Sequence, residues 1–186
     1  MYELINTLQS MVTQCNRCEL QHLPYSLQYY HVTNSGKLFL IIGEAPGEQE
    51  TLTLQPFTGK SGMLLHQWLP IMGIDNYIIS NMVKHRPPNN STPTKEIINK
   101  CKQYLLMEEQ VLKPDVYLLV GKTASTLLNI DLPVKTMVKQ SLLQPYTYHD
   151  KPALTIYHPS FFLRNGKSVQ DLTPLLTLYK KVILSL

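Results

Sequence analysis

The stretch at residues 37–62, KLFLIIGEAPGEQETLTLQPFTGKSG, limits the folds open to this chain more than any other. Residues 37–42 are too short for most helices and carry the β-branched and aromatic residues that favour a buried strand. Gly43 ends the run. Beyond it, Gly43, Pro46 and Gly47 let the backbone turn tightly, while Glu44 and Glu50 bring carboxylates to the strand's carboxyl end, where open α/β sheets bind their ligands.

The rest of the chain supplies the partners such a strand needs. Residues 76–80 (NYIIS), 115–121 (DVYLLVG) and 153–158 (ALTIYH) read as three further buried strands. Helical spacing falls between and around them. Leu4, Ile5, Leu8 and Met11 make one apolar stripe, and Met63, Leu64, Trp68 and Met72 a second, ending near Gly73. Thr94 is an N-cap for a helix whose apolar face is Ile97, Ile98, Cys101, Tyr104 and Leu105, and residues 171–186 return to helical period. Residues 22–36 read as an extended loop, and residues 133–144 have no clear period. Four strands alternating with helices predict an α/β fold with three layers, α/β/α, around a central four-stranded, mainly parallel sheet. At 186 residues a single domain spanning 1–186 is expected.

Composition narrows the function classes. The chain is 44% hydrophobic and 16% charged, as a folded globule is, and its net charge of +4 leans towards a polyanionic partner. No run approaches the ~20 apolar residues of a membrane span, and the N-terminal residues lack a basic segment followed by an apolar core, so a cytoplasmic location is expected. Three cysteines in a reducing compartment suit metal ligation or burial better than disulfides. Two of them stand in CNRC, close enough for Cys15 and Cys18 to bind one metal centre.

In the predicted sheet, Glu44 to Glu50 follow the first strand, Asn81 the second and His158 to Arg164 the fourth, so these polar clusters meet at one rim. The set lacks a convincing nucleophile: Ser160 follows His-Pro, with no Gly-x-Ser-x-Gly elbow. GEAPGEQE also puts acids where a phosphate loop needs bare amides. An aromatic and an amide, Phe57 and Asn81, suit a planar heterocycle stacked on one face and read along its edge. Carboxylate plus histidine suit bond cleavage by water, and excision of a base drawn out of the duplex uses all four elements.

GEAPGEQE with PFTGKSG, then SNMVKHRPPNNSTPT, then YHPSFFLR, together with CNRC and Cys101 in KCKQYL, resemble the family 4 uracil-DNA glycosylases, which carry an iron–sulfur cluster. The resemblance runs from about Cys15 to Arg164, with the motifs in the family's order. It implies the uracil-DNA glycosylase fold and hydrolysis of the N-glycosidic bond of uracil in DNA, leaving an abasic site for base excision repair. Glu44 then matches the acid that orients or activates the attacking water, with Glu50 a supporting carboxylate. Phe57 matches the aromatic that stacks on the flipped base, Asn81 the amide that reads it, and His158 the histidine that stabilises negative charge on the departing uracil. Ala45 and Ser160 lie within the matching motifs as substrate contacts. Phe162 is the favoured apolar wedge among Phe161, Phe162 and Leu163, and Arg164 a phosphate contact.

The resembling family holds its cluster with four cysteines, and here His85 stands in VKHRPP where the third thiolate is expected. Imidazole replaces thiolate in Rieske centres. The leading expectation is a structural [4Fe–4S] cluster on Cys15, Cys18, His85 and Cys101; a labile or three-iron cluster, a Cys₃His zinc site and no metal are the alternatives. Thr51 and Val138-Lys139-Gln140 depart from the family in smaller ways. Uracil-containing DNA is the implied partner of a monomer, with a replication clamp or an inhibitor protein as further candidates. The rival reading is a weak or inactive relative that binds DNA or a partner protein.

Overall fold

The computed structural model describes residues 2–33 and 36–186, apart from the side chains of residues 2–5. Its elements in chain order are α1 (Tyr2–Thr13), β1 (Tyr29–His31), β2 (Phe39–Gly43), α2 (Glu48–Thr53), α3 (Lys60–Met72), β3 (Tyr77–Asn81), α4 (Lys95–Leu112), β4 (Val116–Val120), α5 (Gly121–Ser125), α6 (Val134–Leu143), β5 (Tyr146–Tyr148), β6 (Lys151–Ile156), α7 (Pro159–Arg164) and α8 (Val169–Leu184). The strands form one sheet in the order β1-β3-β2-β4-β6-β5. Its inner strands, β3, β2, β4 and β6, run parallel, and β1 and β5 close the two edges antiparallel.

Two-residue alternation along β2 sends Phe39 and Ile41 into one core and Leu40 and Ile42 into the other. The first core takes Leu65, Trp68 and Leu69 from α3 with Leu172, Leu176 and Tyr179 from α8. The second takes Val12 from α1 with Ile97, Tyr104 and Leu105 from α4. A sheet covered on both faces leaves its strands continuously apolar, which is why β2 and β4 are buried along their whole length. Thr94 caps α4 by accepting from the Ile97 N–H, and Ser168 and Asp171 form a capping box at α8.

The expected α/β class and layering agree with this arrangement, and the strand count does not: the sheet has six strands, not four. The expected strands are its parallel centre. Tyr29–His31 and Tyr146–Tyr148 are three-residue edge strands, too short to show a period; the first is paired by a distant strand, the second by β6 across a tight turn at His149 and Asp150. Residues 133–144 resolve into α6, which buries only Met137, Val138 and Ser141. Met63 is 61% exposed, and Leu65 and Leu69 supply the apolar face instead. Leu4 and Ile5 lie outside the described side chains, as residues 34–35 of the expected loop lie outside the described residues. No helix among the described residues is long and apolar enough to cross a membrane.

Candidate active site

The parallel strands all end at one rim, and the chain reverses its winding there: β3 lies on one side of β2 and β4 on the other. Such a switch point opens a crevice above the strand ends. Gly43, the last residue of β2, is paired with Asn81, the last of β3. A Cβ on Gly43 would stand 2.4 Å from Asn81 Oδ1 and 2.6 Å from Phe57 Cε2, so the bare backbone here is what lets the amide and the ring close on the strand end. Phe57 is 6% exposed and holds a left-handed backbone, φ 56°. Its carbonyl sits where a Cβ on Gly62 would fall, 1.8 Å away, so α3 can pack under Phe57 only with glycine at that position. Asn81 is 4% exposed, and its carboxamide, which makes no hydrogen bond among the described residues, lines the cavity.

The two carboxylates are held differently. Glu44 Oε2 accepts a short hydrogen bond from Thr123 Oγ1, which ties the end of β2 to α5 across the crevice. Glu50, in the first turn of α2, accepts from the Gly59 N–H at 2.7 Å and pins the segment that carries Phe57. Its second task is electrostatic, since it faces His158.

His158 caps α7. Its Nδ1 accepts from the Ser160 N–H at 3.2 Å and lies 2.8 Å from Ser160 Oγ, which itself accepts from Arg164 Nη1 at 3.1 Å. With Arg164 donating to it, the serine hydroxyl gives its own proton to Nδ1, so the ring's proton is on Nε2. Burial pushes the imidazole down to about 4, Arg164 pushes the same way, and Glu50 opposes them. The ring is neutral at physiological pH. It stands 6.0 Å from Phe57, tilted 35°.

Glu44, Ala45, Glu50, Phe57, Asn81, His158, Ser160 and Arg164 all line one cavity of about 840 Å³. Phe162 does not: it turns inward and meets Trp68 edge to face at 5.6 Å. The exposed apolar side chains of that turn are Phe161 and Leu163, at 44% and 40%. A six-residue helix cannot aim three consecutive side chains the same way.

Cys15 and Cys18 are half-buried and Cys101 is buried in the core between α4 and the sheet. The Lys84 N–H donates to Cys101 Sγ at 3.4 Å. Burial pushes the Cys101 thiol up to about 11, Lys84 pulls it down, and Cys15 and Cys18 are close enough to push it up. His85, 3% exposed, pairs through its backbone with Tyr25, and burial lowers its pKa and keeps the imidazole neutral, the form that binds metals. The donor chemistry fits a thiolate-rich centre. Among the described residues, no three His, Cys, Asp or Glu side chains stand in metal-holding positions.

Thr123, Lys122 and Lys135 also line the cavity and were not singled out from the sequence. Thr123 lies two residues past Gly121, the glycine that follows the buried strand β4, a pattern close to the strand and glycine that precede Glu44.

Residues 31–180 match the model of the uracil DNA glycosylase superfamily. The chain is 35% identical over 166 residues to the type-4 uracil-DNA glycosylase of Thermotoga maritima, covering 88% of this chain and 85% of that protein. It is 30% identical to the enzymes of the same name from Archaeoglobus fulgidus, over 87% of this chain and 84% of theirs, and Pyrobaculum aerophilum, over 86% and 85%. A strand-end slot of aromatic, amide, carboxylate and neutral histidine, with a match over most of the sequence, leaves one conclusion: the chain belongs to the uracil DNA glycosylase superfamily.

Proposed function

We propose that this chain is a monofunctional uracil-DNA glycosylase, acting as one catalytic unit where DNA repair takes place. It hydrolyses the bond between uracil N1 and deoxyribose C1′ and leaves an abasic site with the backbone intact. The observation that carries this reading is the convergence of Glu44, Phe57, Asn81 and His158 on one cavity, in a chain whose relatives bear that activity's name.

Each residue has a separate task. Phe57 offers its face to the extruded base, and the unpartnered Asn81 carboxamide offers a donor and an acceptor to its edge. As the glycosidic bond breaks, its electron pair leaves with the base, and the neutral His158 Nε2–H donates to the developing uracil anion. The sugar becomes cationic. Glu44, fixed by Thr123, orients water towards C1′ and receives its proton. Glu50 acts one step back, through Gly59 and the Phe57 segment. Lys122, Lys135 and Arg164 on the cavity wall suit the phosphates that flank the extruded nucleotide. Cys15, Cys18, Cys101 and His85 are the residues that would hold an iron–sulfur cluster, which would supply structural bracing and take no part in the chemistry.

A 5′-labelled oligonucleotide with one uracil, incubated with the protein and then heated in alkali, tests the reading. Cleavage at the uracil only after alkali is the expected result. Binding without scission would replace the enzyme with a DNA-binding relative, and scission without alkali would make it a lyase.

A further inference from the structure

Directly behind Asn81 lies a buried ion pair that the proposed chemistry does not use. Lys84 and Glu108 are 2% and 1% exposed, with Lys84 Nζ 2.7 Å from Glu108 Oε1. Lys84 Nζ also donates to Ser80 Oγ at 2.6 Å and to the Asn81 carbonyl at 2.9 Å, which satisfies all three ammonium protons. Ser80 Oγ passes its own proton to Glu108 Oε2 at 2.7 Å, and Gln28 Nε2 donates to Glu108 Oε1. The network is closed around its charges. A buried pair of this kind seldom adds net stability over a packed apolar core, because desolvation offsets the attraction, and its best attested use is to fix one arrangement among several. What it fixes here is the carbonyl of the residue whose side chain enters the cavity.

We propose that Lys84 and Glu108 are positioning residues for base recognition: the ion pair clamps the Asn81 main chain at the end of β3 and so sets the angle at which the Asn81 carboxamide meets the base. The sheet holds this point from the β2 side only, since β1 pairs no further than Ile79. Asn81 is the last residue of its strand, and Met82 and Val83 beyond it donate to the carbonyls of Gly43 and Glu44 on that same side. Glu108 is on α4, so the clamp joins the amide to a helix on the far side of the sheet. The proposal rests on the reading of Asn81 as the residue that contacts the extruded base.

The test is a mutant cycle on single-turnover cleavage of uracil-containing DNA at saturating protein. Lys84→Met with Glu108→Met removes both charges together, so neither is left buried alone. The expected loss is ~10-fold in rate, with less than ~2-fold change in affinity for DNA carrying a non-cleavable uracil nucleotide. In an Asn81→Ala background the same double change has no further effect, because the clamp acts through a side chain that is no longer there. A purely structural role would multiply the two losses, and that result overturns the proposal, as does a wild-type rate in the double variant. Where the double variant does not fold, Ser80→Ala keeps both charges, removes the hydroxyl between them, and is read by the same cycle. If Asn81→Ala itself cleaves at the normal rate, the reading of Asn81 fails and the clamp falls with it. If Asn81→Ala is slow and the losses multiply, only the clamp fails.

Discussion

The protonation of His158 is the most exacting test of the proposed chemistry. An imidazole ordinarily titrates near 6.5, and here burial, seconded by Arg164, takes it to about 4. The difference of about 2.5, at about 1.4 kcal/mol per pH unit, corresponds to at most about 3.5 kcal/mol favouring the neutral ring, an upper figure because His158 is only half-buried by exposed area. The sign follows from proton counts. Between pH 6.5 and 4 the unfolded chain binds a proton here that the folded chain refuses, so stability falls as pH drops through that window and is fully retained above 6.5. The rate has its own signature. If a neutral Nε2–H serves as the donor, single-turnover cleavage stays flat from pH 8 through 6 and declines only as pH approaches 4. Protonation there makes Nδ1 a donor and breaks its bond from the Ser160 N–H. The measurement is a ¹⁵N imidazole titration, with His158→Gln used to assign the signal, run beside the pH–rate profile. Arg164→Gln should recover the smaller part of the depression, because burial is the larger cause. A ring that titrates between 6 and 7, or a rate that halves near 6.5, would refute both the assigned tautomer and the neutral donor.

Three further outcomes are expected. Gly43→Ala places a methyl 2.4 Å from Asn81 Oδ1 and 2.6 Å from the Phe57 ring, so it should cost about 1–3 kcal/mol in a denaturant melt and slow cleavage by ~10² as both groups are displaced. Phe161→Ala should weaken DNA binding in a fluorescence titration with little change in Tm, whereas Phe162→Ala, which empties a site against Trp68, should destabilise by about 2–3 kcal/mol. Protein purified without oxygen should carry iron and acid-labile sulfide with a broad visible absorption; His85→Ala should reduce both, and a colourless, iron-free, folded wild-type sample would remove the cluster.

What could be read in advance depended on how local its cause was. The β2 strand and its loop were legible because an apolar run and a Gly-Pro-Gly turn both act over a few residues. Tyr29–His31 was not, since it becomes a strand only by pairing with Ile79, Ile78 and Tyr77, and Tyr146–Tyr148, although its partners are local, is three residues long and joins β6 through a left-handed His149-Asp150 turn that carries no glycine. Among the candidate site residues, Glu44, Phe57, Asn81 and His158 were named from motifs, and their convergence then followed from parallel strands ending at one rim. That Phe162 packs inward against Trp68 was not legible, because a short helix decides which of three apolar neighbours faces in and a triplet has no period to reveal it. Nothing in the sequence around Lys84 marks it as internal; Glu108 and Gln28, brought in from other elements, complete the network that buries it. Thr123 likewise acquires its role from a carboxylate 79 positions away.

The slot is built on the ends of strands that are hydrogen-bonded to neighbours on both sides, with its amide further tethered to a helix. Such a floor yields little when a nucleotide arrives, so the work of distortion falls on the nucleic acid rather than on the protein. Lesions whose pairing is already weak, in a mismatch or a single strand, should therefore reach the slot faster than the same base held in a well-stacked duplex.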